Sequence, residues 1–496
     1  MLECHIFLSS IDDFDNTQCL SMSESTKLSG IGPANFQLDG LLSNRERMLI
    51  LTVAFLGWMC AGFHLSITSI AMQPAVIDLL DRVGTLDRER YESLSNHFSR
   101  NTANKTAESS SVFSAEDQND LSSAKALIAK WYAWTQCSFL FGAAFGGWFF
   151  GVIGDRFGRT KGMGLSILTY SIMSCVTYFA DRPFTLCVCW FLTCTGVGGI
   201  WPNGVALVAE AWSSLSRPLA AGIIGMAANI GLFLMSMLAA NYAVTPSNWQ
   251  WMMQIGAAPF VLGIFALLVV PESPRWLATR HGASNEQRRS SPSGEIFRPP
   301  MLAITLLGIS LATVPLLGGW GSANWMVPWS AEAGQAADPP DPFLKAKVNQ
   351  SRALTGILGS LLGGWIASTL GRRNTYLIAS VGALFTSQTI FLYLYPTDSS
   401  FLWWVSALGF FNGIYFGWLP YCLPELFPTR SRSAGAGVSF NFGRILTAIT
   451  VFTTGALMQV FEGDYARIGR VTSLIFVVGI FAIWFVPFSS KQDLEK

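Results

Sequence analysis

The sequence predicts an all-α membrane protein of about twelve transmembrane helices, arranged as two six-helix, pseudo-symmetric halves. Three observations predict it. The 496-residue chain is 51% hydrophobic and 13% charged, whereas a typical soluble domain is ~25% charged. Apolar stretches approaching the ~20 residues needed to cross a bilayer recur about a dozen times along the chain. Short strings of the first half also return in the second half at a nearly constant offset.

The spans lie near 48–71, 131–153, 163–180, 184–208, 219–242 and 250–270, then 301–319, 353–370, 375–394, 402–424, 434–459 and 469–488. Residues 1–45 are polar and mixed and read as an N-terminal cytoplasmic tail with no cleavable signal peptide. The first bundle covers 46–277, an irregular cytoplasmic linker 278–299, and the second bundle 300–490. Basic residues collect in the short loops of one side (Arg45, Arg47, Arg156, Arg159, Lys161, Arg217, Arg275, Arg372, Arg373, Arg430, Arg432), whereas the other side holds few (Arg182, Lys345, Lys347, Arg467, Arg470). The first side is therefore expected to be cytoplasmic, with both termini on it, in the plasma (inner) membrane. The loop 73–130 is expected outside; Val76–Leu86 and Arg88–Phe98 suit short amphipathic helices, and Thr102–Asp120 reads as mobile.

The repeat is specific. Glu210 and Arg217 are seven residues apart, as are Glu425 and Arg432, at an offset of 215. The string Gly151, Gly154, Asp155, Arg156, Gly158, Arg159 aligns with Gly364, Ala367, Ser368, Thr369, Gly371, Arg372 at an offset of 213. Two six-span halves in the same orientation place a solute site between them, near mid-membrane.

A near-zero net charge of +1 gives no case for nucleic acid. No G-x-x-x-x-G-K-[S/T] loop occurs, which argues against an ATP-driven pump. No Ser/His/Asp constellation and no Cys/His cluster is legible, so no enzyme, cofactor or metal is expected.

The G-x-x-x-D-R-x-G-R pattern at Gly151–Arg159 resembles the loop between helices 2 and 3 of the major facilitator superfamily. Pro271-Glu272-Ser273-Pro274-Arg275 is similar to the motif after helix 6 in its sugar-porter and related branches. Pro424-Glu425-Leu-Phe-Pro428-Thr-Arg430-Ser-Arg432 is similar to the motif after helix 10 in the sugar, organic-ion and metabolite–proton symporter branches. The resemblance covers roughly 45–490 and implies a secondary carrier working by alternating access, proton-coupled, that moves an organic acid or a sugar. It implies gating by Gly151, Asp155, Arg156, Gly158, Arg159, Glu210, Arg217, Glu272 and Arg275, paired across helix ends. The second copy has lost an acid and a base (Ser368, Thr369), so its latch is expected to be weaker, leaning on Arg372, Arg373, Glu425 and Arg432. An exporter or uniporter of the same fold, or a sensor that binds solute without moving it, stays open. The expected partners are a small solute, protons and the lipid bilayer, with the chain working as a monomer.

Arg444 is the one fully charged side chain found inside these spans, ~15 Å from the end of its helix at 1.5 Å per residue. Such a charge needs a partner. Either a substrate carboxylate or sulfonate supplies it, with Asn441 one turn away, or the helix runs deeper and Arg444 pairs with Asp155 or a carbonyl cluster. His64 is the only titratable group in span 1, a candidate proton carrier or a packing histidine. Gln136, Trp201, Asn203, Asn229, Asn324, Asn412, Tyr415 and Trp418 are the remaining expected lining residues, with Pro202 kinking span 4 and Gly319–Gly321 breaking span 7. Trp58, Trp131, Trp134, Trp249, Trp251, Trp403, Trp404 and Trp484 suit interfacial belts.

Overall fold

The computed structural model of the protein describes residues 42–103, 114–211, 217–274, 276–277, 296–428, 432–461 and 464–486. The tail and nearly all of the linker lie outside the described residues. Within them all regular structure is helical. Crossings one to six are α1 (Asn44–Ile70), α4 (Ala115–Phe157), α5 (Arg159–Thr177), α6 (Pro183–Ala211), α7 (Arg217–Asn241) and the pair α8 (Gln250–Ala257) and α9 (Phe260–Val269). Between α1 and α4 stand α2 (Met72–Arg82) and α3 (Arg88–Ala103). Crossings seven to twelve are α10 (Met301–Leu317) with α11 (Met326–Ala336), α12 (Leu344–Thr369), α13 (Arg372–Tyr393), α14 (Phe401–Cys422), α15 (Arg432–Val460), and α16 (Tyr465–Ser473) with α17 (Ile475–Ala482).

Local chemistry sets the helix ends. Ser43 and Glu46 cap α1 reciprocally: the Glu46 amide donates to Ser43 Oγ at 3.3 Å and the Ser43 amide donates to Glu46 Oε2 at 2.8 Å. Ser114 caps α4 by accepting from the Asp117 amide at 3.0 Å. With 43 residues, α4 is ~65 Å long, about twice the hydrocarbon thickness. Its first turns therefore stand outside the membrane, so the stretch from Ser114 to Asp120, expected to be mobile, is an ordered helix start. Crossing seven breaks where expected: Gly318–Ser322 form a π-turn and Ala323–Trp325 a 3₁₀ turn before α11 resumes.

Nine helical stretches among the described residues are long and apolar enough to cross a bilayer unaided. The crossings α5, α12 and α14 fall short: Arg159 and Lys161 lie on α5, Lys345, Lys347 and Arg352 on α12, and Trp403, Trp404, Asn412 and Tyr415 lower the hydropathy of α14. They depend on their neighbours. On α12, Gly359 and Gly363 face Gly413 and Gly417 of α14, and a Cβ on any of the four would run into the partner backbone. This small-residue contact lets a polar helix pack without an apolar seam. Phe179, Val261, Leu268 and Trp403 are exposed, as a lipid-facing surface requires.

The halves meet along two helix pairs. Between α4 and α15, Cys137 Sγ donates to the Ala448 carbonyl at 3.2 Å. Between α7 and α12, Asn229 Nδ2 donates to Ser360 Oγ at 2.9 Å.

Candidate functional site

A cavity of about 420 Å³ lies between these seams, within the usual size range for a small-molecule site. Its walls come from α1, α4, α6, α7, the break in crossing seven, α12, α14 and α15; nothing from α5, α8, α9, α13, α16 or α17 reaches it. Trp58 and Trp201 form one aromatic wall, their rings 4.9 Å apart, and Phe139 and Trp320 another at 4.5 Å. Asn229, Asn324, Asn412 and Asn441 supply amides, and Asn412 Oδ1 has no hydrogen-bond partner.

Among the described residues two guanidiniums face this space, Arg352 and Arg444, and no Asp, Glu, Lys or His lines it. Arg444 donates to the Ala143 carbonyl at 3.1 Å and to Asn441 Oδ1 at 3.4 Å, and its guanidinium lies 4.7 Å from the Phe440 ring centre. The alternative of an Asp155 partner is thus not realised; one carbonyl, one amide and a ring hold the cation. Arg352 was not expected: span 8 starts nine residues earlier than the hydropathy suggested, which brings Lys345, Lys347 and Arg352 into the helix. Arg444 is therefore not the sole interior charge. Arg352 donates to Asn349 Oδ1 at 2.7 Å and Asn324 Oδ1 at 3.1 Å. Both sets of partners are neutral, so neither positive charge is compensated by the protein.

The cavity is shut on the face opposite the Asp155–Arg159 loop. Lys125 of α4 pairs with Glu332 of α11 at 2.8 Å, and Tyr465 Oη donates to the same carboxylate at 3.2 Å. Lys345 Nζ donates to the Val244 carbonyl at 2.6 Å, and Gln73 Nε2 to Tyr465 Oη at 3.5 Å. Asn349 Nδ2 donates to Ser236 Oγ at 2.9 Å and Ser66 Oγ at 3.3 Å. All of these contacts join one half to the other except the Tyr465–Glu332 bond, which lies within the second half. Toward the basic face the lining runs on to Val205, Ala206, Leu423, Pro424, Ala436 and Gly437. There the ion pairs seen among the described residues stay within a half. Arg159 contacts Asp155 at 2.6 Å and Glu210 at 3.8 Å, and Arg372 contacts Glu425 at 2.8 Å. The cavity is thus sealed at the far face and extends toward the basic one.

Several expected gating residues work differently from simple ion pairs. Glu272 caps α5: both its oxygens accept from the Thr160 amide, at 3.1 and 3.3 Å, and a carboxylate is favoured at a helix start. Gly158 makes this cap possible, with φ of 120° and the Glu272 carboxylate where a Cβ would stand. Gly151 has open space at its Cβ position. Ser273 donates its hydroxyl to Glu210. Arg156 lies against the Phe157 ring at 5.5 Å. In the second copy Ser368 and Thr369 bond back to Trp365 of their own helix, and Arg373 donates to the Val486 carbonyl. Arg275 and the side chains of Arg217 and Arg432 lie outside the described residues.

Of the expected lining residues, Trp201, Asn229, Asn324, Asn412, Asn441 and Arg444 meet in the cavity. Five do not. His64 is fully buried inside the first bundle, its Nδ1 3.2 Å from the Cys60 carbonyl and its ring between Tyr170 and Trp190. Asn203 donates to the Phe150 and Gly199 carbonyls, both at 2.9 Å, and packs against Gly154 and Gly162. Gln136 stands behind Asn324, accepting from its amide at 3.5 Å. Tyr415 donates to Ser380 and Trp418 to the Arg372 carbonyl, both against Tyr376. A step of three residues turns a helix by ~300° rather than a full circle. Two such steps from Asn412 rotate Trp418 off the cavity face. Trp58 lines the cavity and Trp249 is fully buried, donating to Asp78 at 2.9 Å, so neither belongs to an interfacial belt.

A family profile described as Major Facilitator Superfamily matches residues 111–451. The chain is 27% identical over 354 residues to a cis,cis-muconate transport protein of Acinetobacter baylyi, covering 70% of this chain and 83% of that one. It is 22% identical over 298 residues to the sialic acid transporter NanX of Escherichia coli, covering 60% and 71%. Its fold matches a D-xylose-proton symporter with a TM-score of 0.61 at 16% identity, over 89% of this chain and 97% of that one. It also matches the human organic anion transporter MFSD10 with a TM-score of 0.56 at 15% identity, over 89% and 100%.

Proposed function

The chain belongs to the Major Facilitator Superfamily, as an integral membrane transporter of metabolites, and we propose that its solute is an organic anion, moved by alternating access. The observation that carries this reading is the charge of the cavity: among the described residues, two guanidiniums and no acid line it. A neutral sugar would leave both cations uncompensated in a low-dielectric site; a carboxylate compensates one and is held bidentately. Relatives named for muconate and for sialic acid support the same choice. The far-face seal and the lining that reaches the basic face describe one state of a rocking cycle. The gating role of Arg159, Glu210, Arg372 and Glu425 belongs to this proposal, as latches that re-pair when the halves rock.

The remaining parts of the reading are that the basic face is cytoplasmic, that the chain works as a monomer in the plasma membrane, and that uptake is coupled to protons. Coupling rests on His64, among the described residues the one histidine inside a crossing. The test of the anion reading is uptake of charged and neutral solutes by Arg444→Lys and Arg444→Gln. Loss of anion uptake in Arg444→Gln, with partial retention in Arg444→Lys, is expected. Full activity of both variants would remove Arg444 from recognition.

A further inference from the structure

We infer that Arg352 forms a second anion subsite, so that the solute is a dicarboxylate held at both ends. This rests on the anion reading above and sharpens it. The two guanidiniums are tied to the same helix at different levels, Arg444 directly and Arg352 through Asn324. Arg444 donates directly to the Ala143 carbonyl of α4. Arg352 donates to Asn324, whose amide donates to Gln136 of α4. Positions 136 and 143 are seven residues apart, two turns on the same face, so the two points on α4 to which the anchors are tied lie ~10 Å apart along the axis.

Much of the cavity wall is aromatic or small: Trp58, Trp201, Phe139, Trp320 and the glycines of α14. An apolar body fits there, with an acid at each end. A single carboxylate would meet one guanidinium and leave the other with only neutral partners. Two carboxylates satisfy both, and the like charges of Arg352 and Arg444 are then compensated. Asn324 and Asn349 are the positioning residues, since they set the Arg352 guanidinium.

Arg352 also reaches the seal. Its partner Asn349 is the residue that bonds Ser66 and Ser236 of the other half. A carboxylate that draws Arg352 away from the Asn349 oxygen removes one of the bonds fixing that amide, so occupancy of the second subsite loosens the far-face closure.

The test uses purified full-length protein and three probes on one skeleton: a six-carbon α,ω-dicarboxylate, its half-ester, and its neutral diamide, with dicarboxylates of four to ten carbons as a length series. Binding is read by calorimetry. The dicarboxylate is expected to bind at least tenfold tighter than the half-ester, and in Arg352→Gln that advantage disappears while the half-ester loses little. Arg352→Lys, which keeps the charge should the glutamine variant fail to fold, retains part of the preference. Equal binding of half-ester and dicarboxylate by the native protein overturns the second subsite and leaves the anion reading standing. Binding of the diamide but of neither acid overturns both. No dicarboxylate of any length binding while a monocarboxylate binds overturns the second subsite alone.

Discussion

Replacing Lys125 by Met is expected to unseal the far face. Lys125 and Glu332 meet at 2.8 Å with side chains 8% and 13% exposed, and they join α4 of one half to α11 of the other. Removing one member of such a buried pair strands the other's charge, at ~3 kcal/mol. The hydroxyls of Tyr465 and Tyr91 then remain to solvate Glu332. A loss of ~3 kcal/mol corresponds to a roughly hundredfold shift toward the far-face-open state at 1.4 kcal/mol per decade. The other bridges, Lys345 to Val244 and Asn349 to Ser66 and Ser236, stay in place, each worth ~1 kcal/mol or somewhat more. The protein therefore still folds and still closes, but opens far more often. The assay is the rate at which a membrane-impermeant thiol reagent, added at the far face, modifies a cysteine placed at Phe416 on the cavity wall. The double variant Lys125→Met, Glu332→Met restores a neutral, packed interface, and its rate is expected to fall back to within about tenfold of the parent. A Lys125→Met rate within threefold of the parent, or a double variant as reactive as the single, would refute the latch.

Two further outcomes follow from the basic face and the first bundle. Gly158→Ala places a Cβ at φ of 120° against the Glu272 carboxylate; it is expected to lose about 2 kcal/mol from strain and the displaced α5 cap. Gly151→Ala, at a position with open space, should leave the melting temperature in detergent unchanged, and equal losses for both would argue against the cap. His64→Gln is expected to abolish the pH dependence of uptake while sparing solute binding, because His64 does not line the cavity; unchanged pH-dependent accumulation against a gradient would remove the histidine from coupling.

The sequence announced the crossings because lipid demands long apolar helices, and the repeat paired Arg159 with Arg372 and Glu210 with Glu425 before any coordinates did. The structure places Arg159 near Glu210 and Arg372 against Glu425 accordingly. Arg352 was hidden because Lys345, Lys347 and Arg352 together depress the hydropathy of α12, and the boundary fell just past them. A signal was present: Asn349, Arg352, Ala353, Gly356 and Ser360 share a helix face of polar and small residues, the pattern of a cavity or interhelical stripe rather than of a loop. The trio Asn412, Tyr415 and Trp418 misled because a spacing of three drifts around the helix. The far-face seal was illegible because Lys125 and Glu332 are 207 residues apart in sequence. Only the fold brings them together.

Solute counterflow in proteoliposomes tests carriage itself. Vesicles loaded with an unlabelled six-carbon dicarboxylate, placed in a trace of the labelled compound, should take up label transiently above its equilibrium level, and should do so without an ion gradient. Binding of the dicarboxylate by the same preparation with no exchange of label would contradict a cavity that opens to each face in turn.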